Sequence, residues 1–238
     1  MIALHAVTKE LGRGDQRRLV LNGIDLVIPP RSRLVVLGLP GSGKTTFLSL
    51  ISGMMEPTSG WVERRCVVSA TGGFARHADV GMTVRQLIDR LAPLYGADGR
   101  EVARFVAEFI DFGDLIDAQI KSLPSRLHQR LNLALFYGLP CDFYLFDGAT
   151  DTKLPGMSER SLAAYARRRN TAGMILATSN GRAALDFDGT AGIVFQGKLT
   201  LFENTKDALK VHRELQAEYG SSRLRHAHPK IPDGKAQR

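Results

Sequence analysis

The residues with the clearest chemistry in this chain form one short stretch that could hold a phosphate group. The stretch reads Gly38-Leu39-Pro40-Gly41-Ser42-Gly43-Lys44-Thr45, and Thr46 follows it. Its glycines allow a tight turn that brings backbone N–H groups close to phosphate oxygens. The Lys44 ammonium could reach the β- and γ-phosphates of a nucleotide, and the Thr45 hydroxyl could bind Mg²⁺. We therefore predict a P-loop in which the nine residues 38–46 contact the nucleotide.

The segments on either side of this stretch favour a P-loop over a chance glycine-rich turn. Arg33–Leu37 has the apolar character of a short buried strand, and Thr46–Ser52 has that of a helix closed by Gly53. A strand, a loop and a helix in this order place the helix N-terminus, with its partial positive charge, against the anion.

An acidic residue further along the chain is the second candidate. Asp147 ends the apolar run Phe143–Asp147, which reads as a buried strand. An acid in this position, the Walker B arrangement, holds Mg²⁺ beside the phosphates of a P-loop protein. The alternative is an aspartate that caps the next turn. Because a P-loop lies upstream, we favour the metal role and predict ATP with Mg²⁺, the metal bound by Thr45 and Asp147.

The remaining pattern predicts an α/β fold with an antiparallel β subdomain and a helical subdomain. Ile2–Val7 and Leu19–Ile28 alternate as antiparallel strands do, and Trp61–Ala70 reads as a further strand after a turn. Helical spacing then dominates between residues 82 and 138. The predicted helices are Val84–Leu91, Val102–Ile110, Leu127–Phe136 and a closing helix from Asn204 to about Tyr219, and further strands are Met174–Thr178 and Ala191–Phe195.

Composition sets limits on the class of protein. The chain has 238 residues with 44% hydrophobic content and a formal charge of +8. No segment approaches the length of a membrane span, and the N-terminus lacks the pattern of a signal peptide, so we expect a soluble or peripheral protein. Residues 221–238 are basic and contain Pro and Gly, which favours a disordered, solvated tail over a binding arm. A nucleic-acid partner is not expected.

The order of these features resembles the ATP-binding subunit of ABC transporters, and more narrowly that of capsular and related polysaccharide exporters. The segments that carry the resemblance are Leu50–Gly60, Gly72-Gly73-Phe74 followed by Gly81-Met82-Thr83, and Asp142–Asp147. The resemblance covers about residues 1–219. It implies an ABC-type ATP-binding domain over residues 1–220, with a helical insertion at about 82–138.

The resemblance also implies partners and a location. Two ATP-binding subunits, identical or different, would form a dimer on membrane-spanning transporter subunits at the cytoplasmic face of the inner membrane. Each ATP would lie between the P-loop of one subunit and the signature segment of the other. The cargo is expected to be a polysaccharide, which the membrane-spanning subunits would handle.

The chain departs from the family at the positions that contact the base and sense the γ-phosphate. Leu11 or a neighbour stands where the family has an aromatic ring that stacks on adenine. Ala75 and Arg76 follow the Gly-Gly-Phe segment, where a glutamine is expected. The signature segment reads Leu123-Pro124-Ser125-Arg126-Leu127. Proline has no backbone N–H to donate to a phosphate. Arg126 could contact a phosphate as a cation, but an exposed arginine at a helix start is the simpler interpretation.

The positions that act on the attacking water also differ. Gly148 occupies the place of the general-base glutamate, and Ser179 that of the switch histidine. A positioned base contributes about 10²–10⁴-fold to rate, and glycine supplies none of it. Asp151 is close in sequence, but productive geometry tolerates little displacement. We assign no catalytic residue, and predict a subunit that binds ATP and hydrolyses it weakly or not at all.

Two other functions fit parts of this pattern. One is a nucleotide-responsive regulatory protein without a transport role. The other is a P-loop kinase for a small anionic molecule, helped by the positive charge. A kinase needs a set of lid arginines and an acid that activates the acceptor, and neither is clear in this sequence. The Asp142–Asp147 segment fits the transporter pattern better.

Overall fold

A computed structural model of the chain describes residues 1–71, 74, 78–79, 81–110, 113–148, 159–187 and 189–219. The chain forms two compact units. The first comprises the described residues of Met1–Cys66, Leu145–Thr150 and Met174–Arg238, and the second those of Val67–Tyr144 and Asp151–Gly173.

The strands are β1 (Ile2–Leu11), β2 (Arg18–Ile28), β3 (Arg33–Leu37), β4 (Ser59–Arg64), β5 (Phe143–Asp147), β6 (Gly173–Thr178), β7 (Thr190–Phe195) and β8 (Lys198–Phe202). The helices are α1 (Lys44–Ser52), α2 (Val84–Leu91), α3 (Gly99–Ile110), α4 (Ser125–Gly138), α5 (Glu159–Thr171), α6 (Gly181–Phe187) and α7 (Thr205–Tyr219). Short 3-10 helices cover Gly14–Gln16, Ala92–Tyr95, Gly113–Asp117 and Ile120–Ser122.

The described strands form two sheets. An antiparallel sheet has the order β2-β1-β4, and a larger sheet has the order β5-β6-β3-β7-β8. In the larger sheet β3 pairs in parallel with both β6 and β7, while β8 returns antiparallel to β7. The side chains of Leu34–Leu37 are buried, as a strand with parallel neighbours on both sides requires. Parallel strands present their carboxyl ends at one edge, which is where ligands bind in such sheets.

Helix α1 is held at both ends within the first unit. Its N-terminus follows the glycine-rich stretch, and its core-facing side chains include Phe47, Leu48 and Ile51. At its C-terminus the Arg64 guanidinium donates hydrogen bonds to the carbonyl oxygens of Leu50 and Ile51. A cation at this end of a helix satisfies free carbonyl groups and favours the helix dipole. The C-terminal end of α1 is therefore held by Arg64, the last residue of β4.

The second unit is mainly helical. Helix α2 begins with a capping box in which the Thr83 hydroxyl accepts from the Gln86 N–H and the Gln86 side chain accepts from the Thr83 N–H. Buried aromatic side chains form much of the core, where Phe136, Tyr137 and Tyr144 pack against one another. The Tyr144 hydroxyl donates to the Leu139 carbonyl at 2.8 Å, so this buried polar group is satisfied.

The structure confirms the predicted fold class and most predicted elements. The expected strand Trp61–Ala70 is wrong in extent, because β4 ends at Arg64 and Val68 forms only an isolated bridge to Phe143. Helices α5 and α6 and strand β8 lack a counterpart in the sequence prediction. The basic tail, 221–238, lies outside the described residues, and the domain boundary at 220 stays a prediction.

Among the residues that the structure describes, no helix is both long enough and apolar enough to cross a membrane.

Candidate nucleotide-binding site

The predicted P-loop connects β3 to α1 in the first unit. Gly43 occupies the N-cap position of α1 with a φ of +105°, and its carbonyl accepts from the Phe47 N–H at 2.8 Å. A Cβ atom at this position would lie 2.8 Å from Cγ1 of Val20 on β2. Glycine is required here both for the backbone conformation and for the close approach of β2. The loop therefore wraps the start of α1, where free N–H groups can receive an anion.

The Lys44 side chain folds back onto the loop. Its Nζ donates to the carbonyl oxygens of Gly38 and Leu39, both at 2.8 Å. Burial lowers the pKa of Lys44 to about 8, and the opposing charge of Asp147 limits that decrease. The ammonium group is therefore charged near neutral pH. Two carbonyl oxygens accept its hydrogen bonds, and phosphate oxygens could take their place.

The two predicted metal-binding residues offer oxygen atoms. Asp147 is exposed at the end of β5, and its carboxylate acts electrostatically on Lys44. Thr45 is exposed in the first turn of α1, while its neighbour Thr46 is buried. A hydroxyl and a carboxylate are the hard ligands that suit Mg²⁺ when the phosphate groups supply the rest. The donor set therefore fits the predicted metal.

Gly148 follows β5 directly and has no side chain to offer as a base. Its φ is +98°, and its N–H donates to the Ala177 carbonyl of β6 at 2.8 Å. Within the described residues, and apart from Gly148 itself and its two chain neighbours, no atom lies within 4 Å of the place where a Cβ would stand. The restriction at this position therefore comes from the backbone conformation, which a glutamate would adopt only under strain.

We expect the Gly148→Ala variant to lower the free energy of unfolding by about 1–2 kcal/mol, because the left-handed region disfavours residues with a Cβ. Denaturant unfolding of the purified protein measures this change. Ser179→Ala is the matched control, since Ser179 is exposed one residue beyond β6 and its replacement should change stability little. Equal stability of Gly148→Ala and the parent protein would show that residue 148 is not held in this conformation.

Ser179 lies at the same sheet edge as the P-loop. In the register of β3 and β6, Leu37 pairs with Thr178, so Ser179 follows the strand next to the loop. The Thr178 hydroxyl accepts from the Asn180 N–H at 3.0 Å and orders this turn. The serine hydroxyl can hydrogen-bond a phosphate, but it does not change charge near neutral pH as histidine does.

The predicted signature segment lies in the second unit. Pro124 is the N-cap residue of α4, Ser125 and Arg126 are exposed in its first turn, and Leu123 and Leu127 are buried. Pro124 supplies a carbonyl that accepts from the Leu127 N–H at 2.8 Å, and no donor. The segment is therefore a helix start whose N-cap residue cannot donate to an anion.

The structure describes only one of the other residues that the sequence singled out around the nucleotide. Leu11 ends β1, where it pairs with Arg18 of β2, and its side chain is partly exposed. Ala75, Arg76 and Asp151 lie outside the described residues.

A buried histidine near the P-loop was not among the residues predicted from the sequence. His212 on α7 is buried, with 1% of its surface exposed, and it lies close enough to Gly38 and Lys44 for both to affect its pKa. Within the described residues its Nε2 atom has no hydrogen-bond partner. Burial lowers the pKa of His212, the Gly38 contact opposes that decrease, and the nearby Lys44 charge adds to it. The signal was available, because Ala208, Leu209 and His212 recur at helical spacing and all face inward.

The pKa of His212 predicts how stability depends on pH. Because the pKa of His212 is lowered in the folded protein, the unfolded chain takes up a proton on this residue more readily, so its contribution to stability is present above about pH 6.5 and is lost on acidification. We expect the free energy of unfolding to fall more steeply between pH 7 and 5 for the parent than for His212→Leu. Asp98, Asp117 and Asp207 have pKa values lowered from 3.8, so their changes occur at more acidic pH. Parallel pH profiles from chemical unfolding would contradict this expectation.

Comparison with known proteins places this geometry in a family. The sequence profile of the ABC transporter family matches residues 21–151, a range that includes the P-loop, Asp147 and Gly148. The chain is 26% identical over 216 residues to the ATP-binding protein BexA of Haemophilus influenzae, and the alignment covers 91% of this chain and 100% of BexA. It is 24% identical to the capsule polysaccharide export ATP-binding protein CtrD of Neisseria meningitidis, with 90% of this chain and 100% of CtrD covered.

Solved structures agree on the fold. The chain matches the dimeric ATP-binding cassette MJ0796, in a post-hydrolysis state bound to ADP and Pi, with a TM-score of 0.68 and 16% identity. The match covers 84% of this chain and 98% of that cassette. Because the family profile matches more than half of its length and the resemblance seen in its sequence is upheld, this chain belongs to the ABC transporter family.

Proposed function

We propose that the chain is the ATP-binding subunit of an ABC exporter for capsular or another cell-surface polysaccharide, and that it binds Mg-ATP but hydrolyses it weakly or not at all. One contrast carries this proposal. The P-loop holds Lys44 in place beside Asp147, whereas the residue after β5 is Gly148 in a left-handed conformation. The chain retains groups that bind a triphosphate and lacks a carboxylate at the base position.

The binding step follows from the loop. The N–H groups at the start of α1 and the Lys44 ammonium would bind the phosphate oxygens, with Lys44 exchanging the carbonyls of Gly38 and Leu39 for the β- and γ-phosphates. Thr45 and Asp147 would hold Mg²⁺, which neutralises phosphate charge when bound. Ser179 would donate a hydrogen bond at the sheet edge.

The cleavage step lacks a base. Attack on the γ-phosphate requires a water molecule that is oriented and deprotonated by a positioned acceptor. Gly148 has no side chain, and Pro124 at the N-cap of α4 has no N–H for a nucleotide held by a partner subunit. A second, competent ATP-binding chain would leave both deficits in place, because each belongs to this chain.

The relatives support the transport part of the proposal. CtrD is named as a capsule polysaccharide export protein, and it spans almost the same length as this chain. MJ0796 is described as dimeric. We therefore propose a dimer of ATP-binding subunits, homo- or heteromeric, bound to membrane-spanning subunits at the cytoplasmic face of the membrane. The chain's role would be to couple nucleotide occupancy to the state of those subunits.

A genetic test separates transport from the alternatives. Deletion of the gene in its native organism should remove surface polysaccharide, and the parent gene should restore it. Affinity purification of the parent protein from solubilised membranes should recover a membrane-spanning subunit. Normal surface polysaccharide in the deletion strain, with no membrane subunit recovered, would contradict the proposal in favour of a regulatory protein. Transfer of phosphate from ATP to an added acceptor would instead identify a kinase.

A further inference from the structure

Strand β2 lies directly against the P-loop. A Cβ at Gly43 would lie 2.8 Å from Cγ1 and 3.2 Å from the carbonyl oxygen of Val20. The tip of the β7–β8 hairpin holds β2 in this place. The Asn22 N–H donates to the Gly197 carbonyl, and Lys198 Nζ donates to the Asn22 carbonyl, both at 2.8 Å. Strand β2 is therefore held beside the loop, on the β8 side of the larger sheet.

The order of the strands indicates the direction in which a nucleotide bound by this loop would extend. In the order β5-β6-β3-β7-β8, the P-loop follows the central strand β3. Asp147, which we propose holds Mg²⁺ beside the terminal phosphates, ends β5 on one side of β3, whereas β2 lies on the other side, next to β8. Because the base is the end of a nucleotide farthest from the γ-phosphate, it would lie toward β2 and the turn before it.

This turn offers arginine side chains to a base. The segment Thr8–Val20 contains no aromatic residue, but three of its residues are arginines. The Arg17 guanidinium is bound to the Glu10 carboxylate at 3.1 Å. Arg18 is exposed, and among the residues that the structure describes its side chain has no ion pair or hydrogen bond. It lies two residues before Val20, about 7 Å along an extended strand, so its side chain is within reach of a base beside Val20.

We propose that Arg18 is a further nucleotide-binding residue, whose guanidinium stacks on the base of the bound nucleotide beside Val20. This inference rests on the proposed Mg-ATP binding. A guanidinium is planar and is attracted to the face of an aromatic ring. Stacking does not depend on the hydrogen-bonding groups at the edge of a base, and every base has a face on which it can occur. The site therefore accepts ATP and GTP with similar affinity.

The experiment separates contact with the base from contact with the phosphates. Calorimetry measures the binding of Mg-ATP, Mg-GTP and Mg-tripolyphosphate, which has no base, to the parent and to Arg18→Ala. We expect the parent to bind ATP and GTP within about threefold of each other. We expect Arg18→Ala to weaken the binding of both nucleotides about three- to tenfold and to leave tripolyphosphate binding unchanged.

Two further substitutions at the same position test stacking itself. Arg18→Tyr supplies a planar ring without the charge, and it should bind ATP within about threefold of the parent. Arg18→Lys keeps the charge without the planar group, and it should bind ATP more weakly than Arg18→Tyr does. Thermal unfolding of each variant establishes that the protein is folded.

The matched control is Arg17→Ala. It removes the same charge from the neighbouring residue, whose guanidinium is already bound to Glu10. Because an exposed ion pair contributes little, this variant should bind ATP within about twofold of the parent. Equal weakening by Arg17→Ala and Arg18→Ala would contradict the inference, since a general effect of charge would then explain both.

The outcomes distinguish this inference from the function on which it rests. A parent protein that binds neither Mg-ATP nor Mg-tripolyphosphate would refute the proposed function. A parent that binds ATP while Arg18→Ala binds it equally well would refute the role of Arg18 alone. Weakened tripolyphosphate binding in Arg18→Ala, restored by Arg18→Lys, would also refute stacking, because the guanidinium would then contact a phosphate. A parent that binds GTP more than about tenfold more weakly than ATP would refute the similar affinity for the two bases.

Discussion

Replacing Lys44 with alanine is expected to weaken Mg-ATP binding by about 30- to 150-fold, which corresponds to roughly 2–3 kcal/mol for a charge-assisted interaction. Lys44 is the cation that the loop already holds, bonded to two carbonyls and partly buried. The variant would leave the N–H groups of the loop without a cation beside the β- and γ-phosphates. Calorimetric titration with Mg-ATP measures the change, and adenosine binding should change little.

The matched control for this variant is Lys206→Ala. Lys206 lies exposed in the first turn of α7, so its loss removes the same charge without touching the loop. The control should bind Mg-ATP as the parent does at physiological salt, where exposed charges are screened. Similar affinities for Lys44→Ala and the parent would contradict the assignment of this loop as the phosphate site.

The second large effect concerns turnover. We expect the purified chain to hydrolyse ATP about 10²–10⁴-fold more slowly than an ABC cassette that has a glutamate after the Walker B aspartate, because no positioned base is available at that place. Gly148 supplies no carboxylate, and its φ of +98° disfavours any side chain. Phosphate release under saturating Mg-ATP is the measurement.

Lys44→Ala again provides the control for turnover. Residual hydrolysis that persists in this variant comes from contaminating enzymes, and its rate is subtracted from that of the parent. Rapid hydrolysis by the parent that disappears in Lys44→Ala would overturn the proposal of a weak ATPase. It would also show that some other residue orients the attacking water.

Local patterns were enough to predict the elements that build the site. The apolar run Arg33–Leu37, the glycines after it and the apolar face of Thr46–Ser52 determine a strand, a loop and a helix from neighbouring residues alone. The same holds for the strand that ends in Asp147, since a short buried strand needs only a continuous apolar run.

Contacts between residues far apart in sequence were not predictable in this way. The burial of His212 near the P-loop and the bonds of Arg64 to the end of α1 depend on how α7 and β4 pack. The spacing of apolar residues in a sequence shows that a side chain faces inward, but not which group it contacts. The extent of β4 was overestimated because residues 65–70 have strand-like composition, whereas only Ser59–Arg64 form the strand.

The left-handed conformation of Gly148 also came from the structure alone. The sequence shows a missing glutamate, but only the φ of +98° shows that the backbone itself disfavours one. The chain thus lacks a base at this position, and its backbone conformation there disfavours any side chain that could supply one. Together these two features support the proposal of weak turnover better than the missing glutamate alone does.

The fate of bound nucleotide tests the central claim most directly. Parent protein is incubated with Mg²⁺ and γ-labelled ATP, separated from free nucleotide by gel filtration, and the bound nucleotide is identified after several intervals. We predict that the protein retains label as intact ATP over many times the turnover time of an active cassette, and that Lys44→Ala retains none. Bound ADP and released phosphate at the earliest interval, or no bound nucleotide in the parent, would contradict the account.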